Sequence, residues 1–259
     1  MTTLPRLVAF DLDDTLAPSK SPLDPAMAEL LVRLLDTVEV CIISGGQISQ
    51  FRSQVIENLT DASPEALSHL HLMPTCGTQY YLYQNEAWNQ IYAENLTEDE
   101  KARALEVVER VARSLGYWES ETWGPILEDR GSQITFSALG QAAPVSAKTA
   151  WDTTGEKKNA LREAVQAELP DLEVRSGGST SVDITRQGID KAYGMNKLAE
   201  LTGIPLDDMI FVGDRLDPAG NDYPVKAMGV KCVAVEGWHD TAAYLEKLIP
   251  ELQAAAAAR

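Results

Sequence analysis

Val8-Ala9-Phe10-Asp11-Leu12-Asp13-Asp14-Thr15-Leu16-Ala17 is the stretch that decides the fold of this 259-residue chain. The apolar run at 7–10 reads as a buried strand. It ends in three carboxylates and a threonine. In open α/β sheets, ligands sit beyond the carboxyl ends of the strands. Clustered carboxylates repel one another, so a cation is needed to hold them together. The stretch predicts a divalent-metal site beside a nucleophilic carboxylate.

Outward from it, strands and helices alternate. Residues 25–35 have helical apolar spacing, with Asp24 as N-cap and Pro25 at the first helical position. Residues 38–43 read as a strand, 47–58 as a helix and 70–73 as a strand. This βαβαβ order implies a parallel, doubly wound sheet. Residues 79–83 and 88–92 read as a hairpin around Gln84-Asn85-Glu86.

The middle of the chain has another character. Residues 98–115 form one amphipathic helix pattern, and 157–168 another. Strand pairs at 126–128 with 132–137, and at 172–175 with 179–185, flank Gly-containing turns. From 191 the first pattern resumes, with helices at 191–201, 225–228 and 241–249 and strands at 209–212 and 231–235. The predicted fold is α/β: a Rossmann-like, doubly wound parallel-sheet core of residues 1–86 and 187–259, with an inserted α+β domain of residues 87–186.

Composition narrows the class. Hydrophobic content of 44% and charged content of 24% are ordinary for a soluble globular enzyme. The net charge of -17 argues against nucleic acid and anionic membranes as partners. An anionic substrate would then need a local cation. Cys41, Cys76 and Cys232 are odd in number and widely spaced, which predicts reduced thiols in a cytoplasmic protein. No apolar run of about 18 residues could span a membrane, and a motif beginning at residue 11 leaves no room upstream for a cleavable signal peptide. His69 and His71 read as strand residues, His239 as a cap of the last helix, and the alanine tail as its extension.

Three further motifs carry chemistry. Ile43-Ser44-Gly45-Gly46 ends a strand in a hydroxyl and backbone N–H groups that can bind phosphate oxygens. Gly188-Ile189-Asp190-Lys191 puts a lysine at a helix start, against the helix dipole. Carboxylates and phosphate facing the ammonium would offset that cost. Gly213-Asp214 with Asn221-Asp222 closes a polar loop at a strand end and offers hard oxygen ligands suited to Mg²⁺. Singly, each has an ordinary reading as a turn, an N-cap, a solvated lysine or an Asx loop. Together, in order and at strand ends, they point to one site.

In these motifs the chain resembles the phosphotransferases of the haloacid dehalogenase superfamily. Its insert resembles the large α+β cap found in Cof-like sugar phosphatases, sucrose phosphatase and eukaryotic-type phosphomannomutases. The resemblance implies Asp11 as nucleophile and metal ligand, and Asp13 as acid/base and ligand through its carbonyl. It implies Ser44, Gly45 and Lys191 as phosphate-binding groups, with Asp214 and Asp222 at the metal. Arg130, Ser179, Ser181 and Asp183 become the cap's candidates for substrate recognition. Mg²⁺ is the implied cofactor and a small-molecule phosphate ester the implied partner, bound by a monomer or a cap-mediated homodimer. Three positions depart from the phosphomannomutase pattern. Gln141 replaces a phosphate-binding arginine, Ser44 replaces a glycine, and Asp14 replaces a glycine. A neutral amide does not substitute for a guanidinium. The expectation is therefore a sugar-phosphate phosphatase, with a hexose-phosphate mutase as the alternative.

Overall fold

Leu7–Phe10 forms β1, and all four residues are buried. A strand covered on both faces shows no polar side, which is why the run does not alternate. The computed structural model describes residues 4–178 and 180–257. After β1 come α1 (Pro25–Leu35), β2 (Glu39–Ile43), α2 (Ile48–Gln54), α3 (Pro64–Ser68), β3 (Leu70–Met73), β4 (Gln79–Gln84) and β5 (Ala87–Ala93). The middle contains α4 (Glu98–Ser114), β6 (Leu127–Asp129), β7 (Ile134–Ser137), α5 (Val145–Trp151), α6 (Glu156–Glu168), β8 (Leu172–Ser176) and β9 (Ser181–Arg186). The last segment contains α7 (Lys191–Thr202), β10 (Met209–Gly213), α8 (Tyr223–Ala227), β11 (Lys231–Ala234) and α9 (Trp238–Ala257).

The chain divides into two compact units, one running to Tyr92 and resuming at Asp190, the other Ala93–Ile189. The insert thus starts later than residue 87, because β5 is the edge strand of the first unit's sheet and keeps the hairpin whole.

In the first unit seven strands lie in the order β11-β10-β1-β2-β3-β4-β5. The five from β11 to β3 are parallel, and β4 pairs antiparallel with β3. Chain order runs from β1 through β2 and β3 on one side and returns to β10 and β11 on the other, so β1 stands at the switch point. Val8, Phe10, Val40, Ile42, Ile210 and Val212 turn to the face packed by α1 and α9. Leu7, Ala9, Cys41, Ile43, Met209 and Phe211 turn to the face packed by α7.

Local signals explain the helix ends. Asp24 accepts a hydrogen bond from Ala26 N and Pro25 opens α1, as expected. Residues 47–58 break after Gln54, whose carbonyl is taken by Leu23 N at 2.9 Å and by Asn58 Nδ2 at 3.0 Å. With that acceptor diverted, the chain continues as the 3₁₀ turn Ile56–Asn58. The short α3, capped by Ser63, is too brief for periodicity to reveal. Helix α9 starts at Trp238, so His239 lies inside its first turn and not at a cap. It runs to Ala257 through Pro250. His71 is buried between Tyr80 OH (2.6 Å) and Glu39 Oε2 (3.0 Å), while His69 Nδ1 lies 2.9 Å from Leu35 O. No described helix is long and apolar enough to cross a membrane.

In the second unit four antiparallel strands lie in the order β6-β7-β9-β8. Ile134, Phe136, Val174, Val182 and Ile184 bury against Val108 of α4 and Val165 of α6. Residues on the opposite face are polar. Glu128, Thr135, Asp183 and Arg175 form one cross-strand row through all four strands. Thr97 and Glu100 close a capping box at the start of α4.

Candidate active site

Three neighbouring strands deliver the site. Asp11 follows β1, Ser44 follows β2 and Asp214 follows β10, all at the carboxyl edge of the sheet. Asp11 extends the ladder by donating its N–H to Val212 O at 3.0 Å. Its side chain is buried, at 4% exposure.

Lys191 is the first residue of α7 and is fully buried. Its Nζ lies 2.6 Å from Asp11 Oδ1 and 2.6 Å from Asp222 Oδ1. Asp190, the N-cap, accepts from Tyr193 N at 2.9 Å and fixes where the helix begins. The other oxygen of Asp222 accepts from Arg215 N at 3.0 Å. Gly213 is required here, because a Cβ would sit 2.4 Å from Asp222 Oδ2. Gly220 is required in the same loop, because a Cβ would sit 1.9 Å from Arg215 O. Thr15 donates to Asp214 Oδ1 at 3.4 Å, and its own carbonyl accepts from Thr241 Oγ1 at 2.7 Å.

Asp11, Asp214 and Asp222 each bring a carboxylate oxygen within 4.8 Å of the others. Burial is the main force pushing the Asp11 carboxyl above its ordinary range; Lys191 opposes it, and Asp222 and Asp214 reinforce it. Burial also raises Asp214, with Asp222 adding to it. Burial works against the Lys191 charge, but Asp11 and Asp222 outweigh it and hold the ammonium charged. Three carboxylates against one ammonium leave two negative charges in excess, which a divalent cation would balance. The donor set, all hard oxygens, suits such an ion.

Asp13 stands apart from that cluster. Its Oδ1 accepts from Lys20 N at 2.8 Å and Gln54 Nε2 at 3.1 Å, and its Oδ2 accepts from Gln50 Nε2 at 2.9 Å. Ser44 Oγ accepts from Gly46 N at 3.2 Å, which leaves its own proton to donate. In the second unit Arg130 is committed to Glu128, with Nε and Nη2 donating to Oε2 at 3.1 and 2.7 Å. Ser181 Oγ lies 2.8 Å from Ser137 Oγ, which also accepts from Gln141 Nε2 at 2.7 Å. Asp183 Oδ1 accepts from Thr135 Oγ1 at 2.7 Å. Ser179 lies outside the described residues.

Reading the sequence missed Gln50, Gln54 and Gly194. Two glutamines four apart on a helix carry no mark of their partner in the sequence. Gly194 carried a usable signal, since glycine inside a helix pattern suggests close approach. A Cβ there would lie 2.2 Å from Ile43 Cδ1 and 2.7 Å from Cys76 O.

The chain is similar to known proteins in sequence and in fold. Residues 139–225 match the family described as haloacid dehalogenase-like hydrolase. A solved IMP-nucleotidase of Plasmodium falciparum superposes with a TM-score of 0.70 at 14% identity, over 95% of this chain and 68% of that one. These matches relate the chain to the haloacid dehalogenase-like hydrolases in sequence and in fold. In sequence the chain is also similar to phosphomannomutases. A probable phosphomannomutase of Caenorhabditis elegans is 25% identical, over 95% of this chain and 96% of its own length. Human phosphomannomutase 1 is 23% identical, over 85% of this chain and 83% of its own.

Proposed function

We propose that the chain hydrolyses a small phosphate ester, a sugar phosphate, through an aspartyl-phosphate on Asp11. The observation that supports this is the buried contact of Lys191 with both Asp11 and Asp222, beside Asp214. Among the described residues, no hydrogen bond reaches the second oxygen of Asp11, which is the one to attack. That oxygen bonds to phosphorus, the bond to the ester oxygen breaks, and Asp13 gives its proton to the leaving alkoxide. Water then attacks the acyl phosphate, Asp13 takes the water's proton, and phosphate leaves with Asp11 restored. The Ser44 hydroxyl, Gly45 N–H and Lys191 ammonium bind the transferred phosphoryl oxygens.

Asp11, Asp214 and Asp222, with the Asp13 carbonyl, would hold Mg²⁺. When bound, the ion screens the repulsion between carboxylate and phosphate. On the inserted unit, Arg130, Ser179, Ser181 and Asp183 are proposed to read the rest of the substrate. We place the protein in the cytoplasm, as a monomer or homodimer.

The relatives named phosphomannomutase support a second reading, transfer to another sugar hydroxyl. Gln141 favours water, because its neutral amide holds Ser137. Phosphorus NMR of mannose 1-phosphate with a hexose bisphosphate separates the two. Free phosphate is the expected product. Isomerisation without free phosphate would replace hydrolysis by the mutase reading. Asp11→Asn abolishes either; an Asp11→Asn protein as active as its parent sinks both.

A further inference from the structure

Asp13 is held by three N–H donors, and two of them rise from one turn of α2. Gln50 and Gln54 are four apart, so they share a helical face. Gln50 gives an N–H to one carboxylate oxygen and Gln54 to the other. Gln54 spends its second N–H on Ser21 O at 2.8 Å. Its own Oε1 is buried and has no hydrogen-bond partner among the described residues. A buried unpaired acceptor costs free energy. The reverse orientation would be worse, since it would turn that oxygen toward a carboxylate and a carbonyl. The amide's orientation is set by what its donors hold.

Gly46 completes the device. A Cβ there would lie 2.3 Å from Gln50 Oε1 and 2.8 Å from its Cδ. Any side chain at residue 46 displaces Gln50. The second glycine of Ser44-Gly45-Gly46 therefore has a task apart from phosphate: it makes room for the glutamine on Asp13.

We propose that Gln50 and Gln54 are positioning residues for Asp13, with Gly46 keeping Gln50 in place. The inference rests on the reading of Asp13 as proton donor and acceptor. Two charges explain why amides serve. A carboxylate two residues from Asp11 is drawn to any cation held by Asp11, Asp214 and Asp222, and as its ligand it is lost to proton transfer. A lysine or arginine would also hold it back, but would add a charge beside the cluster of Asp11, Asp214 and Asp222. The glutamine amides restrain the carboxylate without adding a charge.

Leaving-group chemistry tests this. A sugar alkoxide needs a proton as it leaves, whereas p-nitrophenolate does not. The kcat/KM of the Mg²⁺-loaded enzyme is measured for a sugar phosphate and for p-nitrophenyl phosphate in the parent, Gln50→Met, Gln54→Met and Gly46→Ala proteins. Methionine keeps the shape and removes the donors. The ratio of sugar to nitrophenyl kcat/KM is expected to fall about tenfold or more in each variant, in the direction of Asp13→Asn. Gly46→Ala should match Gln50→Met. Should Gln54→Met fail to fold, the other two carry the test. Equal losses on both esters, or no loss, overturn the inference and leave the functional reading standing. A parent that releases phosphate from neither ester overturns that reading, and the inference with it.

Discussion

Asp14 shows what one residue contributes beside the chemistry. Its φ of 60° lies in the left-handed region. Its N–H donates to Ala17 O at 2.7 Å, and its Oδ1 accepts from Ser19 N at 3.1 Å. Aspartate tolerates that conformation because its short side chain bonds locally. The backbone thus explains why position 14 takes a residue that tolerates positive φ. Asp14→Gly should shift stability by no more than about 1 kcal/mol and leave turnover alone, whereas Asp14→Val should lose about 1–2 kcal/mol. Urea unfolding and a phosphate assay check both. Asp11, Ser44, Lys191, Asp214 and Asp222 were legible because each residue type is unusual for its position. Gln50 and Gln54 were not, because exposed and functional glutamines look alike until their partner is known.

At the scale of elements, α7 places Lys191. The helix approaches the Thr75–Gly77 turn so closely that a Cβ on Gly77 would lie 2.6 Å from Gly194 Cα. Thr75 and Cys76 hold positive φ in that turn, at 49° and 57°. Gly194→Ala must push α7 off the sheet and carry Lys191 with it. Overpacking of this kind costs about 1–3 kcal/mol, and a 1 Å misplacement at a reacting centre costs about a hundredfold in rate. Denaturation midpoints and kcat should both fall; wild-type kcat would separate α7's position from catalysis.

A second element-scale contact has a pH signature. Arg186 at the end of β9 donates to Glu100 in the first turn of α4, at 3.2 and 2.9 Å. The Arg186 hydrogen bond, followed by that from Thr97, brings the Glu100 pKa from 4.5 down to about 2. A depressed folded-state pKa gives stability that is present above pH 4.5 and lost as pH falls through about 2. Glu100→Gln should flatten the melting temperature over that window. An unchanged slope would show that the pair contributes nothing there.

At the scale of the whole molecule, the net charge of -17 repels an anionic substrate, while in the proposed reading Lys191 and a divalent ion would attract it locally. Salt screens the long-range repulsion more than a buried contact. The kcat/KM for a phosphate ester should therefore rise severalfold between about 0.01 and 0.15 M ionic strength. A fall would mean that local cations dominate the approach field. Periodicity, turn residues and strand-end motifs determined the doubly wound core, the inserted α+β unit and which polar side chains stand at the strand ends. These depend on interactions along the chain, which composition and spacing encode directly. Only the tertiary structure decided that Lys191 meets Asp11 from 180 positions away, that α2 stops where Leu23 takes the carbonyl of Gln54, and that Gln50 and Gln54 close on Asp13. Each depends on which surfaces pack together, and a non-local hydrogen bond leaves no period in the sequence.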